Sequence, residues 1–241
     1  MLTGKKNESV LGIVPARSGS KGIPNKNIRL LAGVPLLVHA IKSGLVSGVV
    51  DRVLLTTDSN QFADIGRAAG AEVPFIRPSE LAQDTTPMLP VIQHALRFVM
   101  EAGWTPDIVV LLQPTAPFRY ARDLVRAIEV LRNSPDVDSA VTIEAMPDHY
   151  SPHFAFKIEG GKLLPFLPDG LRVTRRQDAA KSYTRNGQFY VMKRTTLLEK
   201  NSIYGQNCAP IVTSHKAVNL DTMDDWHEAE QLAKTFFAPA P

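Results

Sequence analysis

The chain of 241 residues contains a single cysteine, Cys208. One thiol excludes a disulfide bond within the chain, and it excludes every metal site that is built from several cysteines. The composition therefore gives no reason to expect an oxidising compartment, and a cytoplasmic location is predicted.

Long hydrophobic runs are absent as well. An apolar stretch follows Lys5 and Lys6, but Pro15 and Arg17 interrupt it before a signal peptide or a membrane span is complete. Charge of one sign is not in large excess, since the formal net charge at pH 7 is +3. That charge suits a small anionic substrate but is too small to indicate nucleic acid. We expect neither a membrane nor a nucleic acid as a partner.

No stretch rich in proline, serine and glycine divides the middle of the chain, and no internal repeat is visible. A hydrophobic fraction of 44% over 241 residues suits one core. Residues 1–241 are therefore predicted to form one domain, with frayed tails at 1–8 and 238–241. Apolar runs alternate with helical periodicity along the chain, which is typical of an α/β fold with helices flanking a predominantly parallel sheet.

The same patterns predict individual elements. Strands are expected at 10–14, 52–56, 73–76, 107–112 and 217–221. Helices are expected at 35–46, around Phe62 and Ile65 with a stop at Gly70, and from a Thr86 N-cap with Pro87 in the first turn to Gly103. Residues 144–185 break the alternation with Gly160–Gly161, several prolines and several aromatic residues, and we expect an arm outside the main sheet.

The most informative segment is the glycine-containing loop at residues 13–27, which follows the first predicted strand. Three cations share it: Arg17, Lys21 and Lys26. Gly19 and Gly22 allow backbone N–H groups to turn toward one point, and this loop lies where open α/β sheets bind ligands. The spacing matches neither the P-loop nor the dinucleotide fingerprint. Both interpretations remain open at this stage: a triphosphate-binding loop, or a basic surface loop whose glycines only form turns.

A second polar segment follows the strand predicted at 107–112. It places the amide of Gln113, the hydroxyl of Thr115 and the guanidinium of Arg119 on a proline-stiffened turn at the same edge of the sheet. The alternative is a rigid strand-to-helix connection with incidental polar residues.

Motifs along nearly the whole chain resemble those of the CMP-sialic acid synthetases, also called acylneuraminate cytidylyltransferases, and their legionaminic and pseudaminic acid relatives. They stand at 15–27, 56–58, 77–85 and 111–119, with looser matches at 176–178 and 186–190. The resemblance implies a Rossmann-like fold of the nucleotide-diphospho-sugar transferase type and a homodimer joined partly through the arm. It also implies transfer of CMP from CTP to an acidic nine-carbon sugar, with Mg²⁺ as cofactor.

The resemblance also assigns residues to roles. Nucleotide binding falls to Ala16, Arg17, Ser20, Lys21, Lys26, Asn27, Arg77 and Asp84. Sugar binding falls to Gln113, Thr115, Asn186 and Gln188. The implied catalytic set is Arg17, Lys21 and Asp221, and Arg175 or Arg176 is expected to reach a partner subunit's site.

The metal site departs from the family pattern. The family has two acidic residues where this chain has Asn219 and Asp221, which alternation places on one face. An amide oxygen can ligate Mg²⁺ but brings no negative charge. Asp221 also stands beside a predicted capping box, Thr222-x-x-Asp225, so a role at the helix entry is its alternative.

Three alternatives for function and substrate follow. The loss of a carboxylate at Asn219 fits a catalytically inactive nucleotide-sugar-binding protein, and cytidylyltransferases for octulosonic acids are relatives. The sugar itself is open, because Gln188–Phe189 and residues 88–91 resemble the pseudaminic acid branch whereas Gln113 and Arg119 resemble the sialic and legionaminic acid branches.

Overall fold

A computed structural model describes residues 8–237, and the predicted tails lie outside this part of the chain except for Glu8. The strands are β1 (Val10–Pro15), β2 (Leu30–Leu31), β3 (Val34–Pro35), β4 (Arg52–Thr56), β5 (Ile108–Leu111), β6 (Ser139–Ala145), β7 (Phe156–Glu159), β8 (Lys162–Pro165), β9 (Tyr183–Lys193) and β10 (Cys208–Val212). The α-helices are α1 (Leu36–Leu45), α2 (Asn60–Ala68), α3 (Met88–Glu101), α4 (Ala121–Asn133), α5 (Arg194–Leu198) and α6 (Met223–Phe236). None of these helices is long and apolar enough to cross a membrane.

The main sheet has six strands in the order β10-β6-β9-β5-β1-β4. β1 runs parallel to both β4 and β5, and β10 runs parallel to β6. Only β9 in this sheet runs antiparallel to both of its neighbours. The predicted α/β fold with a predominantly parallel sheet is therefore confirmed.

Hydrophobic residues cover both faces of the sheet. Every residue of β1 is buried, as expected for a central strand with helices on either side. Helices α1, α2 and α4 pack on one face, and α3 and α5 pack on the other. A third cluster joins α6 through Trp226 to Ile23 and Leu220, so it brings the end of loop 13–27 against the segment before α6.

Two predicted strands do not form. Residues 73–76 form no ladder with a neighbouring strand, and the bridge in this region is the one from Glu72 to Leu54. Pro74 and Pro78 lack the backbone N–H groups that a strand would donate. Residues 217–221 are irregular, although Leu220 donates its N–H to the Thr115 carbonyl at 2.8 Å. The expected alternation survives in this segment, because Val218 and Leu220 are buried while Asn219 and Asp221 are exposed.

Helix boundaries follow the predictions with one correction. Helix α3 begins at Met88 with Pro87 as its N-cap, whereas Thr86 donates its hydroxyl to the Glu80 carbonyl at 3.0 Å and caps nothing. The capping box predicted for α6 is present, with reciprocal hydrogen bonds between Thr222 and Asp225.

The predicted arm exists but is shorter than 144–185. Its two ends belong to the main sheet, where Glu144 in β6 pairs with Thr184 in β9. Residues 146–182 lie outside that sheet and contain the β7–β8 hairpin together with four short 3₁₀ helices. Large apolar side chains are exposed along this arm: Tyr150, Phe156, Ile158, Leu163, Phe166 and Leu171.

Candidate active site

The carboxyl ends of β1, β4 and β5 lie side by side, and the loops that follow them surround a cavity of about 370 Å³. Most of the predicted binding residues line it: Arg17, Ser20, Lys21, Lys26, Asn27, Arg77, Asp84, Gln113, Thr115 and Asp221. Pro15, Gly22, Met88 and Pro114 also line it and were not predicted as site residues. All four lie in segments that resemble the family motifs or one of its branches, and this location could have identified them as site residues.

Two cations of the glycine-containing loop converge on one carboxylate. Arg17 lies 2.5 Å from Oδ1 of Asp84, and the Nζ of Lys21 lies 2.5 Å from its Oδ2. Hydrogen bonds from Lys21 and Arg17 hold the pKa of Asp84 below its usual value. The carboxylate of Asp84 thus occupies a position in which an anionic ligand would meet both cations.

The loop itself is fastened at several points. Asp58 accepts hydrogen bonds from the N–H and the hydroxyl of Ser18, both at 2.8 Å. The side-chain amide of Asn27 donates to the Arg17 carbonyl at 2.9 Å. Ala16 is fully buried and donates its N–H to the Thr56 carbonyl at 3.0 Å, so it supports the loop without lining the cavity. These contacts hold Arg17 and Lys21 in place before any ligand arrives.

Lys26 connects the loop to the segment that carries Asp221. Its Nζ donates to the Leu220 carbonyl at 2.6 Å and lies 3.4 Å from Oδ1 of Asp221. A Cβ at Gly22 would overlap the Asp221 carbonyl oxygen, so only glycine permits this close approach. Asp221 is thereby brought from a distant part of the sequence to the mouth of the cationic loop.

Asn219 lies beside Asp221, and its side-chain nitrogen is 3.2 Å from Oδ2 of that carboxylate. The described residues contain no group of three His, Cys, Asp or Glu side chains that could hold a metal. The carboxylate of Asp221 lines the cavity and fits Mg²⁺, which is commonly held by one or two protein carboxylates together with substrate phosphates. Asn219 does not line the cavity and presents its nitrogen to Asp221. Asp221 would therefore hold Mg²⁺ jointly with a nucleotide, and Asn219 could add a ligand only with its amide oxygen turned toward the same cation.

Arg77 lines the cavity, but its guanidinium is hydrogen-bonded to other residues of the chain. It is 5% exposed and hydrogen-bonds to both the side chain and the carbonyl of Thr56 at the end of β4. Burial lowers the pKa of Arg77 to about 10. This residue therefore shapes the cavity wall, and its hydrogen bonds leave little of the guanidinium for a ligand.

The sugar-binding prediction is only half matched by the geometry. Gln113 and Thr115 line the cavity, but Asn186 and Gln188 do not. Asn186 donates to the Thr213 hydroxyl at 2.7 Å, and the fully buried Gln188 side chain contacts Nε2 of His215 at 2.8 Å.

β9 is irregular where these residues lie. Its pairing with β6 is interrupted between Val141 and Ile143, and Gly187 has a positive φ of 71°. A Cβ at Gly187 would lie 3.6 Å from Oε1 of Gln113 and 3.7 Å from Oδ1 of Asn219. Asn186 and Gln188 therefore support the region behind Gln113 in this structure, and their contact with the sugar stays a prediction.

Arg175 does not line this cavity either. Arg175 pairs with Asp178 three residues later, at 2.7 Å. The side chain of Arg176 lies outside the described part of the structure. A role at a partner subunit's site remains a prediction for both.

The cavity combines the cations Arg17, Lys21 and Lys26 with the carboxylates of Asp84 and Asp221 at the carboxyl ends of parallel strands. Such an arrangement binds and polarises the phosphates of a nucleotide. Fold and site together define a nucleotidyltransferase.

Comparison with known sequences makes this assignment more specific. The profile of the Cytidylyltransferase family matches residues 11–236, and the chain belongs to that family. It is 31% identical over 227 residues to the CMP-N,N'-diacetyllegionaminic acid synthase of Legionella pneumophila, covering 92% of this chain and 95% of that one. It is 29% identical to a pseudaminic acid cytidylyltransferase of Campylobacter jejuni, covering 93% and 96% of the two chains. The predicted family is confirmed.

Solved structures agree on the fold. The structure of a CMP:2-keto-3-deoxy-manno-octonic acid synthetase complexed with CTP superposes with a TM-score of 0.69 at 17% identity. The match covers 93% of this chain and 98% of that one. The Rossmann-like nucleotidyltransferase fold that the resemblance implied is therefore present.

Proposed function

We propose that the protein transfers CMP from CTP to the anomeric hydroxyl of a nonulosonic acid, an acidic nine-carbon 2-keto sugar, and releases pyrophosphate. The observation that carries the proposal is the convergence of Arg17, Lys21 and Lys26 on one cavity beside Asp221. The relatives named for legionaminic and pseudaminic acid support this class of sugar.

In this reaction the anomeric oxygen forms a bond to the α-phosphorus and loses its proton, while the bond from that phosphorus to the bridging oxygen of the β-phosphate breaks. Nucleophile and electrophile both belong to anions, so neutralising charge is the main task of the site. Arg17 and Lys21 would bind the phosphates that leave as pyrophosphate. CTP would take over these cations from Asp84, which holds both of them in the free protein.

We place Mg²⁺ at Asp221, because this carboxylate lines the cavity beside the cationic loop and Mg²⁺ also binds phosphate oxygens. Rotation of the Asn219 side-chain amide, whose nitrogen now faces Asp221, would bring its oxygen to the same cation. When bound, Mg²⁺ would supply charge neutralisation for the departing pyrophosphate. The hydrogen bond from Lys26 to the Leu220 carbonyl fixes the backbone next to Asp221, so the carboxylate faces the cavity.

The acid sugar would bind along Gln113 and Thr115, whose amide and hydroxyl donate to a carboxylate or to sugar hydroxyls. The relatives named for legionaminic acid and for pseudaminic acid match this chain to a similar extent. The proposal therefore stops at the class of nonulosonic acids.

We further propose a homodimer formed through the arm at 146–182. Exposed apolar side chains concentrate there, with Ile158 at 76% and Phe166 at 61% exposure. An apolar surface of this kind on a projecting hairpin is typical of a contact between subunits. Sedimentation at micromolar concentration tests it: a fully active monomer would contradict the proposal. A cytoplasmic location is part of the same proposal.

The function is tested by measuring pyrophosphate release from CTP with sialic, legionaminic, pseudaminic and octulosonic acids, each with and without Mg²⁺. Metal-dependent release with a nonulosonic acid is expected. Release with the octulosonic acid alone would overturn the sugar class. Tight CTP binding without release for any acid would favour the inactive binding protein that Asn219 suggests. A reaction without the protein is the control for background hydrolysis of CTP.

A further inference from the structure

Arg119 lies where two neighbouring strands separate. β5 and β9 pair in antiparallel register as far as Leu111 and Tyr190, and the ladder ends there. In the continued register, Gln113 would stand opposite Gln188. Arg119 joins these two residues instead: its Nε donates to the Gln188 carbonyl at 2.6 Å, and a terminal nitrogen donates to the Gln113 carbonyl. The guanidinium thus bridges the fork between the strands.

The environment of Arg119 is unusual for a purely structural residue. The side chain is 7% exposed, and its NH1 is buried without a hydrogen-bond partner. Among residues 8–237 no carboxylate lies within ion-pair distance of it. Burial lowers the pKa of Arg119 to about 9. An uncompensated buried cation is destabilising in itself, whereas a neutral donor could bridge a carbonyl without that penalty.

The bridge made by Arg119 supports one wall of the cavity. Gln113 lines the cavity from the end of β5. Gly187, next to Gln188, packs directly against Gln113, since a Cβ at Gly187 would lie 3.6 Å from Oε1 of that side chain. Arg119 itself does not line this cavity.

We infer that Arg119 is a positioning residue for acid-sugar recognition: by binding the carbonyls of Gln113 and Gln188 it holds the backbone of Gln113 in place, so that the Gln113 amide meets the acid sugar at a fixed position. This inference rests on the proposed function. Because Gln113 and Gln188 lie away from loop 13–27, binding of CTP should depend far less on Arg119 than binding of the acid does.

The test is steady-state kinetics of Arg119→Lys and Arg119→Met with the best acid. Lysine keeps the charge but lacks the planar fork that bridges two carbonyls. We expect KM for the acid to rise about tenfold in Arg119→Lys, and more in Arg119→Met, with KM for CTP changed less than about threefold. Arg52→Lys is the matched control, since Arg52 forms a two-point pair with Glu72 at the edge strand β4. Its kinetic constants should stay at wild-type values.

A double-mutant cycle then asks whether Arg119 acts through Gln113. In a Gln113→Ala background, Arg119→Lys should add less than about a twofold further rise in KM for the acid. Three results would each overturn the inference and leave the proposed function intact. The first is a double variant whose rise in KM for the acid is the product of the two single rises. The others are equal changes in KM for the acid and for CTP, and a lowered melting temperature with wild-type kinetics in Arg119→Lys. A wild-type protein without turnover would instead overturn the proposed function, and the inference with it.

Discussion

The two sides of the cavity are built from different groups. On the side of loop 13–27, charged side chains face the ligand, with Lys21 at 83% exposure, and hydrogen bonds to Asp58 hold the loop beneath them. On the side of Gln113 the lining side chains are neutral, and the Arg119 side chain that supports them is buried. Charged side chains attract phosphate even when their positions are not exact. Neutral groups recognise a sugar only when hydrogen-bonding distances are correct, and the surrounding packing must maintain those distances.

The largest effect is expected from removing the charged metal ligand. Asp221→Ala should lower Mg²⁺-dependent turnover by more than about a hundredfold, because a ligand and its charge disappear together. Circular dichroism should show an unchanged fold, since the capping box of α6 depends on Thr222 and Asp225.

A Mg²⁺ titration of turnover makes the check, with Asn219→Asp as the companion variant. A carboxylate at position 219 should lower the Mg²⁺ concentration needed for half-maximal turnover. An unchanged Mg²⁺ dependence in Asp221→Ala would show that the metal binds elsewhere and would leave Asp221 with a role at the helix entry.

The charged side of the cavity is tested next. Arg17→Ala should lower kcat/KM for CTP by about tenfold to a hundredfold, which corresponds to the loss of roughly 1.5–3 kcal/mol for a charge-assisted contact. Arg67→Ala is the control, since Arg67 pairs with Asp64 on the exposed face of α2. Wild-type kinetics in Arg17→Ala would remove the cationic loop from the mechanism.

The neutral side is tested by two glutamines. Gln113→Ala should raise KM for the acid by about tenfold with little change in melting temperature, because its amide faces the cavity. Gln188→Ala should do the reverse: it removes a fully buried amide that contacts Nε2 of His215 and lowers stability by about 1–3 kcal/mol. A large effect of Gln188→Ala on KM for the acid with unchanged stability would contradict this structural role of Gln188.

The smallest effect is expected at the carboxylate between the two loop cations. Asp84→Asn should raise the affinity for CTP a few-fold in the absence of the acid, because Arg17 and Lys21 no longer have to exchange one anion for another. Isothermal titration calorimetry measures this affinity directly. Weaker CTP binding in Asp84→Asn would mean that the carboxylate contacts the nucleotide.

The pH dependence follows from the lowered pKa of Asp84. A carboxyl whose pKa is lower in the folded state stabilises the protein above its unfolded-state pKa, and that stabilisation is lost as pH falls through the folded-state pKa. The ratio of the CTP affinities of wild type and Asp84→Asn should therefore stay constant across neutral pH. It should approach one in acid, where Asp84 is protonated and neutral like asparagine.

Much of the cationic side was predictable because its information is local. Arg17, Lys21 and Lys26 stand within a short loop after a strand, and a strand end in a parallel sheet defines where such a loop lies. The role of Asp84 as their partner was not predictable, because two loops far apart in sequence must meet before the ion pairs exist. The position of Asn186 and Gln188 outside the cavity was not predictable for a similar reason, because it depends on the irregular pairing of β9 with β6.

The sequence by itself determined the α/β class, the cationic loop and the family, since each depends on periodicity or on motifs a few residues long. Only the tertiary structure decided that residues 73–76 and 217–221 form no strands, that the arm spans 146–182, and that Arg119 lies behind the cavity wall. These outcomes depend on which backbone groups find partners across the sheet. Hydrogen-bond partners distant in sequence are set by packing, and no local pattern specifies them.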